Sequence, residues 1–60
     1  MDSKKYEVVP NHDSTSRFLY KVTETIIYDS GHISKPTDID FFVTVHDAVL
    51  ACEKLNQESD

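Results

Sequence analysis

Two apolar runs that alternate in polarity, with a short turn sequence between them, constrain the fold of this chain more than any other feature. A period of two residues is typical of β-strands that bury one face. The apolar members of the first run are Phe18, Tyr20, Val22, Ile26 and Tyr28, and Glu24 is its single polar exception. Those of the second run are Ile33, Ile39, Phe41 and Val43. Between them, Asp29-Ser30-Gly31-His32 predicts a tight turn in which Gly31 can adopt a positive φ. The pattern predicts a β-hairpin.

The register of this hairpin follows if Ser30 and Gly31 are the two loop residues. Tyr28 then lies opposite Ile33, and the remaining predicted pairs are Val22 with Ile39, Tyr20 with Phe41, Phe18 with Val43, Leu19 with Phe42 and Lys21 with Asp40. Apolar side chains meet apolar ones, and one opposite-charge pair is aligned. Pro36 lacks a backbone N–H and suits an edge strand. The first run is therefore predicted to be the central strand, with Tyr6–Val9 on its other side.

The last predicted element is a helix. Thr44 can cap it, with Asp47 three residues later near the positive end of the helix dipole. Its apolar residues recur at helical spacing and form one stripe: Val45, Ala48, Val49, Cys52 and Leu55. The predicted fold class is α+β, a three-stranded antiparallel meander with one C-terminal helix packed on one face (β-β-β-α). We expect the helix to cover the face that bears Tyr20, Val22, Ile39 and Phe41.

Sixty residues are enough for a single small domain, residues 1–60, with an ordered core over 5–57 and frayed ends at 1–4 and 58–60. Cys52 is the only cysteine, so a disulfide within the chain is excluded. No apolar run approaches the ~18 residues of a membrane span, and no signal peptide opens the chain. We expect a cytoplasmic protein without a membrane partner.

Eleven acidic and six basic residues give a formal net charge of −5. This charge argues against direct nucleic-acid binding, which requires clustered Lys and Arg. The acidity either only maintains solubility or attracts a basic protein surface. An acidic nucleic-acid mimic, or an antitoxin-like regulator of a nucleic-acid-binding partner, is the alternative interpretation. It requires one face to gather Asp2, Glu7, Asp13, Asp29, Asp38 and Asp40.

The sequence predicts no catalytic residue, no metal site and no cofactor. We expect His12, His32 and His46 to be solvated, and no pair of them has the spacing of zinc ligands. Cys52 lies on the apolar helix stripe and is expected to be a small buried side chain. Gly31 is the only glycine, which excludes the usual phosphate-binding loops. The chain is therefore predicted not to be an enzyme.

A mismatch of lengths predicts where the chain binds. The helix is roughly 20 Å long at ~1.5 Å per residue, whereas each hairpin arm is roughly 40 Å long at ~3.3 Å per residue. The far half of the hairpin, around 25–35, then has no cover, and the predicted protein interface is Leu19, Ile26, Ile27, Tyr28, Ile33, Phe42 and Leu50. A homodimer is the favoured solution. A dedicated hetero-partner and a bent hairpin that covers itself are the alternatives.

The run from Asp38 to Leu55 (DIDFFVTVHDAVLACEKL), a strand that passes through a capped turn into a helix, resembles the corresponding stretch of HicB-type antitoxins. It covers under a third of the chain, and the apolar, Pro-containing sequence of that family before the strand is missing here. The residues themselves predict a stoichiometric inhibitor or regulator of a larger protein. Antagonists of bacterial defence proteins encoded by bacteriophages are one example of that class.

Overall fold

The predicted hairpin forms the centre and one edge of a three-stranded sheet. The computed structural model describes residues 1–58. Its sheet is antiparallel with strand order β1-β2-β3, and one helix follows it. The elements are β1 (Ser3–Pro10), β2 (Tyr20–Ile27), β3 (Thr37–Phe42) and α1 (Val45–Glu58). The predicted β-β-β-α fold of the α+β class is confirmed. No helix in the described range is long and apolar enough to cross a membrane.

β1 is longer than the four residues predicted from the sequence. Ser3 and Lys4, which we expected to belong to a frayed end, pair with Ile27 and Ile26. At the other end of the chain, Glu58 is still helical, and residues 59–60 lie outside the described range. The first strand therefore accompanies the central strand along its whole length.

The tip of the second hairpin is a three-residue loop, not the predicted two-residue loop. The Gly31 N–H donates to the Tyr28 carbonyl at 2.9 Å, and the Tyr28 N–H donates to the His32 carbonyl at 2.9 Å. Gly31 has φ of 90°, which matches a type I turn followed by a left-handed glycine. Ile33 consequently pairs with Ile27, and the predicted pairing of Ile33 with Tyr28 is wrong.

A substitution at Gly31 tests this turn without a steric clash, because a Cβ built on this residue has no heavy atom within 4 Å. We expect Gly31→Ala to lower the free energy of unfolding by about 1–2 kcal/mol, the penalty for an L-residue in the left-handed region. Gly31→Asn should cost less, since asparagine tolerates this region. Urea denaturation of both variants measures the difference. Equal stability of Gly31→Ala and the unmodified chain would contradict the observed turn.

The returning strand contains two irregularities that the sequence pattern did not predict. Ser34 donates its N–H to the Ile26 carbonyl, and its hydroxyl accepts the Ile26 N–H at 2.8 Å. Pro36, which has no N–H, follows directly. Farther along, the register shifts between Val22 and Thr23, where Val22 pairs with Asp40 and Thr23 with Asp38. Ile39 is thus the extra residue of a β-bulge.

The bulge changes which side chains of β3 share a face. Tyr20 pairs with Phe42 and Lys21 pairs with Phe41, so the predicted pairs of Tyr20 with Phe41 and Lys21 with Asp40 are wrong. A shift of one residue transfers a side chain to the opposite face of a sheet. Phe41 therefore lies on the same face as Lys21, and Phe42 lies on the same face as Tyr20.

Helix α1 begins as predicted but is rotated relative to its apolar stripe. The Asp47 N–H donates to the Thr44 hydroxyl at 3.3 Å, and that hydroxyl donates to the Asp47 carboxylate at 3.0 Å. Ala48 and Cys52 are buried, whereas Val45 and Val49 are 49% and 39% exposed. The helix lies nearest to β1. Of the residues in the predicted apolar stripe, Ala48 and Cys52 are buried as expected, whereas Val45 and Val49 are not.

The hydrophobic core of the chain is small relative to its solvent-accessible surface. Its buried hydrophobic residues in the described range are Val22, Ala48 and Cys52. The Cα radius of gyration is 12.4 Å, against about 10.4 Å for a compact domain of this length. The accessible surface is 4581 Å², against about 4000 Å² for a compact protein of this mass. The chain is flat and extended, with dimensions of 38 × 21 × 11 Å.

Candidate protein-binding surfaces

The pairing of β1 with β2 determines which face of the sheet the helix covers. Directly opposite residues of antiparallel strands place their side chains on the same face. Val22, which is fully buried, pairs with Val8. On the same side of β1, Lys4 and Tyr6 line a depression together with Leu55 of the helix. The even-numbered residues of β1 and β2 therefore face the helix, and the odd-numbered ones face away from it.

We name the side of the sheet away from the helix the open face. Two adjoining depressions lie on it, and Lys21, Asp38 and His12 line both of them. Its centre is polar, with Thr23 and Thr25 on β2, whereas its two ends are apolar. The open face comprises Lys5, Glu7, Val9, Phe18, Lys21, Thr23, Thr25, Ile27, Ile33, Lys35, Asp38 and Phe41.

One apolar end of the open face is a pair of aromatic rings. The rings of Phe18 and Phe41 are 6.1 Å apart between centroids, a spacing at which aromatic pairs attract each other. The Arg17 guanidinium lies 5.3 Å from the Phe18 ring centroid, as in a cation–π contact. Phe41 nevertheless remains 41% exposed. This end therefore presents an aromatic surface to solvent.

The charges at the centre of the open face are paired within the chain. The Lys21 ammonium lies 3.1 Å from the Asp38 carboxylate, and the Lys5 ammonium lies 3.0 Å from the Glu7 carboxylate. Both pairs are part-exposed, so each contributes little to stability. Their effect is to leave the face nearly neutral.

The other apolar end is the tip of the hairpin. Ile27 and Ile33 pair with each other on the open face, and Ile33 is 61% exposed. The rings of Tyr28 and His32 lie 5.9 Å apart. The Asp29 N–H donates to the Asp2 carboxylate at 3.1 Å, so the start of the chain lies alongside the tip. The tip thus has β1 along one side and apolar side chains in solvent. The helix reaches farther along the sheet than predicted, since Leu55 and Glu58 line a depression with Lys4, which pairs with Ile26.

The structure separates the seven predicted interface residues into different surfaces. Ile27 and Ile33 lie on the open face, whereas Ile26 and Phe42 are half-buried and belong to the helix side with Tyr20 and Val22. Leu50 is exposed on the helix, and Leu19 and Tyr28 are exposed near opposite ends of the sheet. The predicted pairing of Leu19 with Phe42 implied that Phe42 faces away from the helix, which is wrong because the bulge puts Phe41 on that side instead. Phe41 was not among the predicted interface residues, because the polarity pattern placed it under the helix and only the bulge brings it to the open face.

Both outer edges of the sheet are obstructed. On β1, the Tyr6 N–H donates to the Asn56 side chain at 3.3 Å, and the Tyr6 carbonyl accepts from the Cys52 thiol at 3.2 Å. On β3, the edge is interrupted by Pro36 and by the bulge at Ile39, and the Phe41 N–H donates to the Asp40 carboxylate at 2.9 Å. Proteins use such devices to prevent pairing with another strand. The edges are therefore poor sites for a partner strand.

Two ionisable groups near the helix have shifted pKa values. Burial raises the pKa of the Cys52 thiol, against a smaller opposing effect of the hydrogen bond from Asn56. The Tyr6 hydroxyl donates to the Glu24 carboxylate at 2.9 Å, and this hydrogen bond raises the pKa of Tyr6 because it favours the protonated phenol. The same bond satisfies Glu24, the polar exception in the first run. Within residues 1–58, no three His, Cys, Asp or Glu side chains gather as a metal-binding group.

The raised pKa of Cys52 predicts a loss of stability in alkaline solution. A thiol whose pKa is raised by folding keeps its proton longer in the folded state, so the unfolded state ionises first as pH rises. We expect the free energy of unfolding to fall as pH rises through the ordinary thiol pKa of about 8.5. Tyr6 adds a fall in the same direction near pH ~10. Urea denaturation at a series of pH values measures this decrease in the free energy of unfolding. Cys52→Ala should remove the part of the decrease that begins near the ordinary thiol pKa. An unchanged slope in that variant would contradict the assignment.

No protein-family model, curated protein or solved structure matches this chain. The surfaces described above are therefore the observations on which a function can be proposed.

Proposed function

We propose that this chain is a small non-enzymatic protein-binding module that acts as a homodimer and as a stoichiometric inhibitor or regulator of a larger protein. The observation that carries the proposal is the imbalance between core and surface. Within residues 1–58, three hydrophobic residues are buried, whereas eleven large hydrophobic residues are more than a third exposed. Single exposed apolar residues are ordinary, but contiguous groups of them mark interaction sites.

The hairpin tip is the proposed contact for the larger partner. Tyr28 and Ile33 are exposed there, and the loop that carries them is closed by backbone hydrogen bonds around Gly31. A rigid loop that presents an aromatic and a branched aliphatic side chain binds with little loss of conformational entropy. Aromatic residues are also enriched among the residues that dominate binding energy.

The alternative function, an acidic nucleic-acid mimic, has weaker support. Such a mimic needs its carboxylates on one face, to imitate a phosphate backbone. Glu7 and Asp38 are instead paired with lysines on the open face, Asp13 accepts from Thr15 in the 11–19 loop, and Asp29 lies at the hairpin tip. The six predicted carboxylates do not form a single acidic surface.

Quantitative capture from cell lysate tests the proposal. The tagged intact chain should retain one defined protein at a fixed molar ratio, and the double variant Tyr28→Ala, His32→Ala, which leaves the open face unchanged, should lose it. The matched control is Ser14→Ala, His46→Ala, because both residues are exposed at the opposite end of the sheet. The control should retain the same protein. Equal capture by both double variants would refute the tip as the contact.

A further inference from the structure

We infer that the open face is the surface through which two copies of this chain pack face to face. This inference rests on the proposed function and specifies its dimer interface. The first argument is that no helix or second sheet in the described range covers this side, since α1 lies on the other side; residues of the 11–19 loop border it, and Thr23 at its centre is buried among neighbouring side chains. A three-stranded sheet with one helix needs a second cover when the bare side ends in apolar clusters such as Phe18 with Phe41 and Ile27 with Ile33.

The second argument is the distribution of charge. The open face carries Lys5, Lys21 and Lys35 against Glu7 and Asp38, which sum to +1. The whole chain has a formal charge of −5, so all other residues together carry −6. Two acidic copies repel each other through any other broad surface, whereas the open face lets them approach without repulsion. A basic partner would instead be attracted to the acidic remainder of the surface. The charge pattern thus favours a second copy as the occupant.

The third argument is self-complementarity. In a two-fold symmetric interface, each patch meets its own copy. A face with cations and anions in neighbouring positions, as in the Lys21–Asp38 and Lys5–Glu7 pairs, can place opposite charges across such an axis. A face of one sign could not. The polar centre and apolar ends of the open face are therefore compatible with two-fold pairing.

The size of the open face also fits an interface between two copies. The broad side of the chain measures 38 × 21 Å, which bounds the open face at about 800 Å². A stable protein–protein interface buries about 800 Å² on each partner. The obstructed edges at Tyr6 and Asp40 disfavour the competing arrangement, in which two sheets join edge to edge.

Sedimentation equilibrium tests this inference, with far-UV circular dichroism to verify folding. The intact chain should sediment at about 13.8 kDa, twice its mass of 6.9 kDa. Phe41→Asp and Thr25→Glu should each raise the dimer dissociation constant about 30-fold or more, because Phe41→Asp removes an aromatic contact and both changes require a charged carboxylate to be desolvated in the interface. Thr25→Glu keeps the test valid if Phe41→Asp fails to fold. Leu50→Asp, on the outer helix surface, is the control and should remain dimeric.

The outcomes separate this inference from the proposed function. An intact chain that sediments at 6.9 kDa yet still captures its partner through the tip would overturn the inference and the proposed homodimer, and would support the regulator role. Dissociation by Leu50→Asp, with Phe41→Asp and Thr25→Glu both dimeric, would also overturn it. A dimer that dissociates as expected but captures no protein would support the inference and refute the regulator role.

Discussion

Substitution of Val22 by aspartate is expected to abolish the folded state. Val22 is fully buried on the central strand, between Val8 of β1 and the bulge of β3. The change removes roughly 1.5–3 kcal/mol of hydrophobic burial and adds several kcal/mol for a buried carboxyl group without a partner. A chain of this length has a total stability of about 3–9 kcal/mol. The combined loss is therefore comparable to the whole free energy of unfolding of the chain.

Circular dichroism and thermal melting at matched protein concentration measure this effect. The matched control is Val45→Asp, the same change at a residue that is half exposed in the first turn of the helix. An acidic residue is favourable near a helix N-terminus, so the control should stay within about 0.5 kcal/mol of the unmodified chain. A cooperative melt in Val22→Asp near that of the control would contradict the assigned core.

Asn56→Ala is expected to lower the free energy of unfolding by about 0.5–1.5 kcal/mol, the net contribution of part-exposed hydrogen bonds. The Asn56 side chain accepts the Tyr6 N–H at 3.3 Å and donates to the Tyr6 carbonyl at 3.4 Å and to the Cys52 sulfur at 3.6 Å. These contacts fasten the end of the helix to the outer edge of β1. Their removal leaves the Tyr6 carbonyl with the Cys52 thiol alone and returns the Tyr6 N–H to solvent, so the helix end is held less firmly to the edge strand.

Gln57→Ala is the control for this prediction, because Gln57 is the exposed neighbour of Asn56 on the same helical turn. Chemical denaturation of both variants gives the difference in stability. Asn56→Ala should also increase association between sheets at high concentration, because an uncovered edge pairs with other strands. If the two variants have the same stability, the contact between Asn56 and β1 does not stabilise the fold.

The periodicity of the sequence was sufficient to predict the fold class and the order of its elements. Alternation between Phe18 and Tyr28 identified the central strand. Pro36 indicated that the third strand is an edge strand, and Thr44 with Asp47 marked the start of the helix. Each signal is local, so it can be read without knowledge of the rest of the chain. These predictions agree with β2, β3 and the observed cap.

The register of the hairpin could not be predicted, because bulges leave no clear trace in a polarity pattern. A two-residue loop at Ser30-Gly31 satisfied the pattern as well as the observed three-residue loop did. The extra residue at Ile39 then exchanged the faces of Phe41 and Phe42. The candidate site was therefore predicted in part. Ile27 and Ile33 were recognised as uncovered residues, but the open face with Phe41 became apparent only from the strand pairing.

Intermolecular nuclear Overhauser effects test the central claim most directly, that two copies meet through the open face. The sample is an equimolar mixture of ¹³C-labelled and unlabelled chains, and isotope filtering selects contacts between copies. The account predicts intermolecular contacts from the Phe41 ring and from the methyl groups of Val9, Thr25 and Ile27. Intermolecular contacts from Leu50 and Val49 of the helix, with none from the open face, would contradict it.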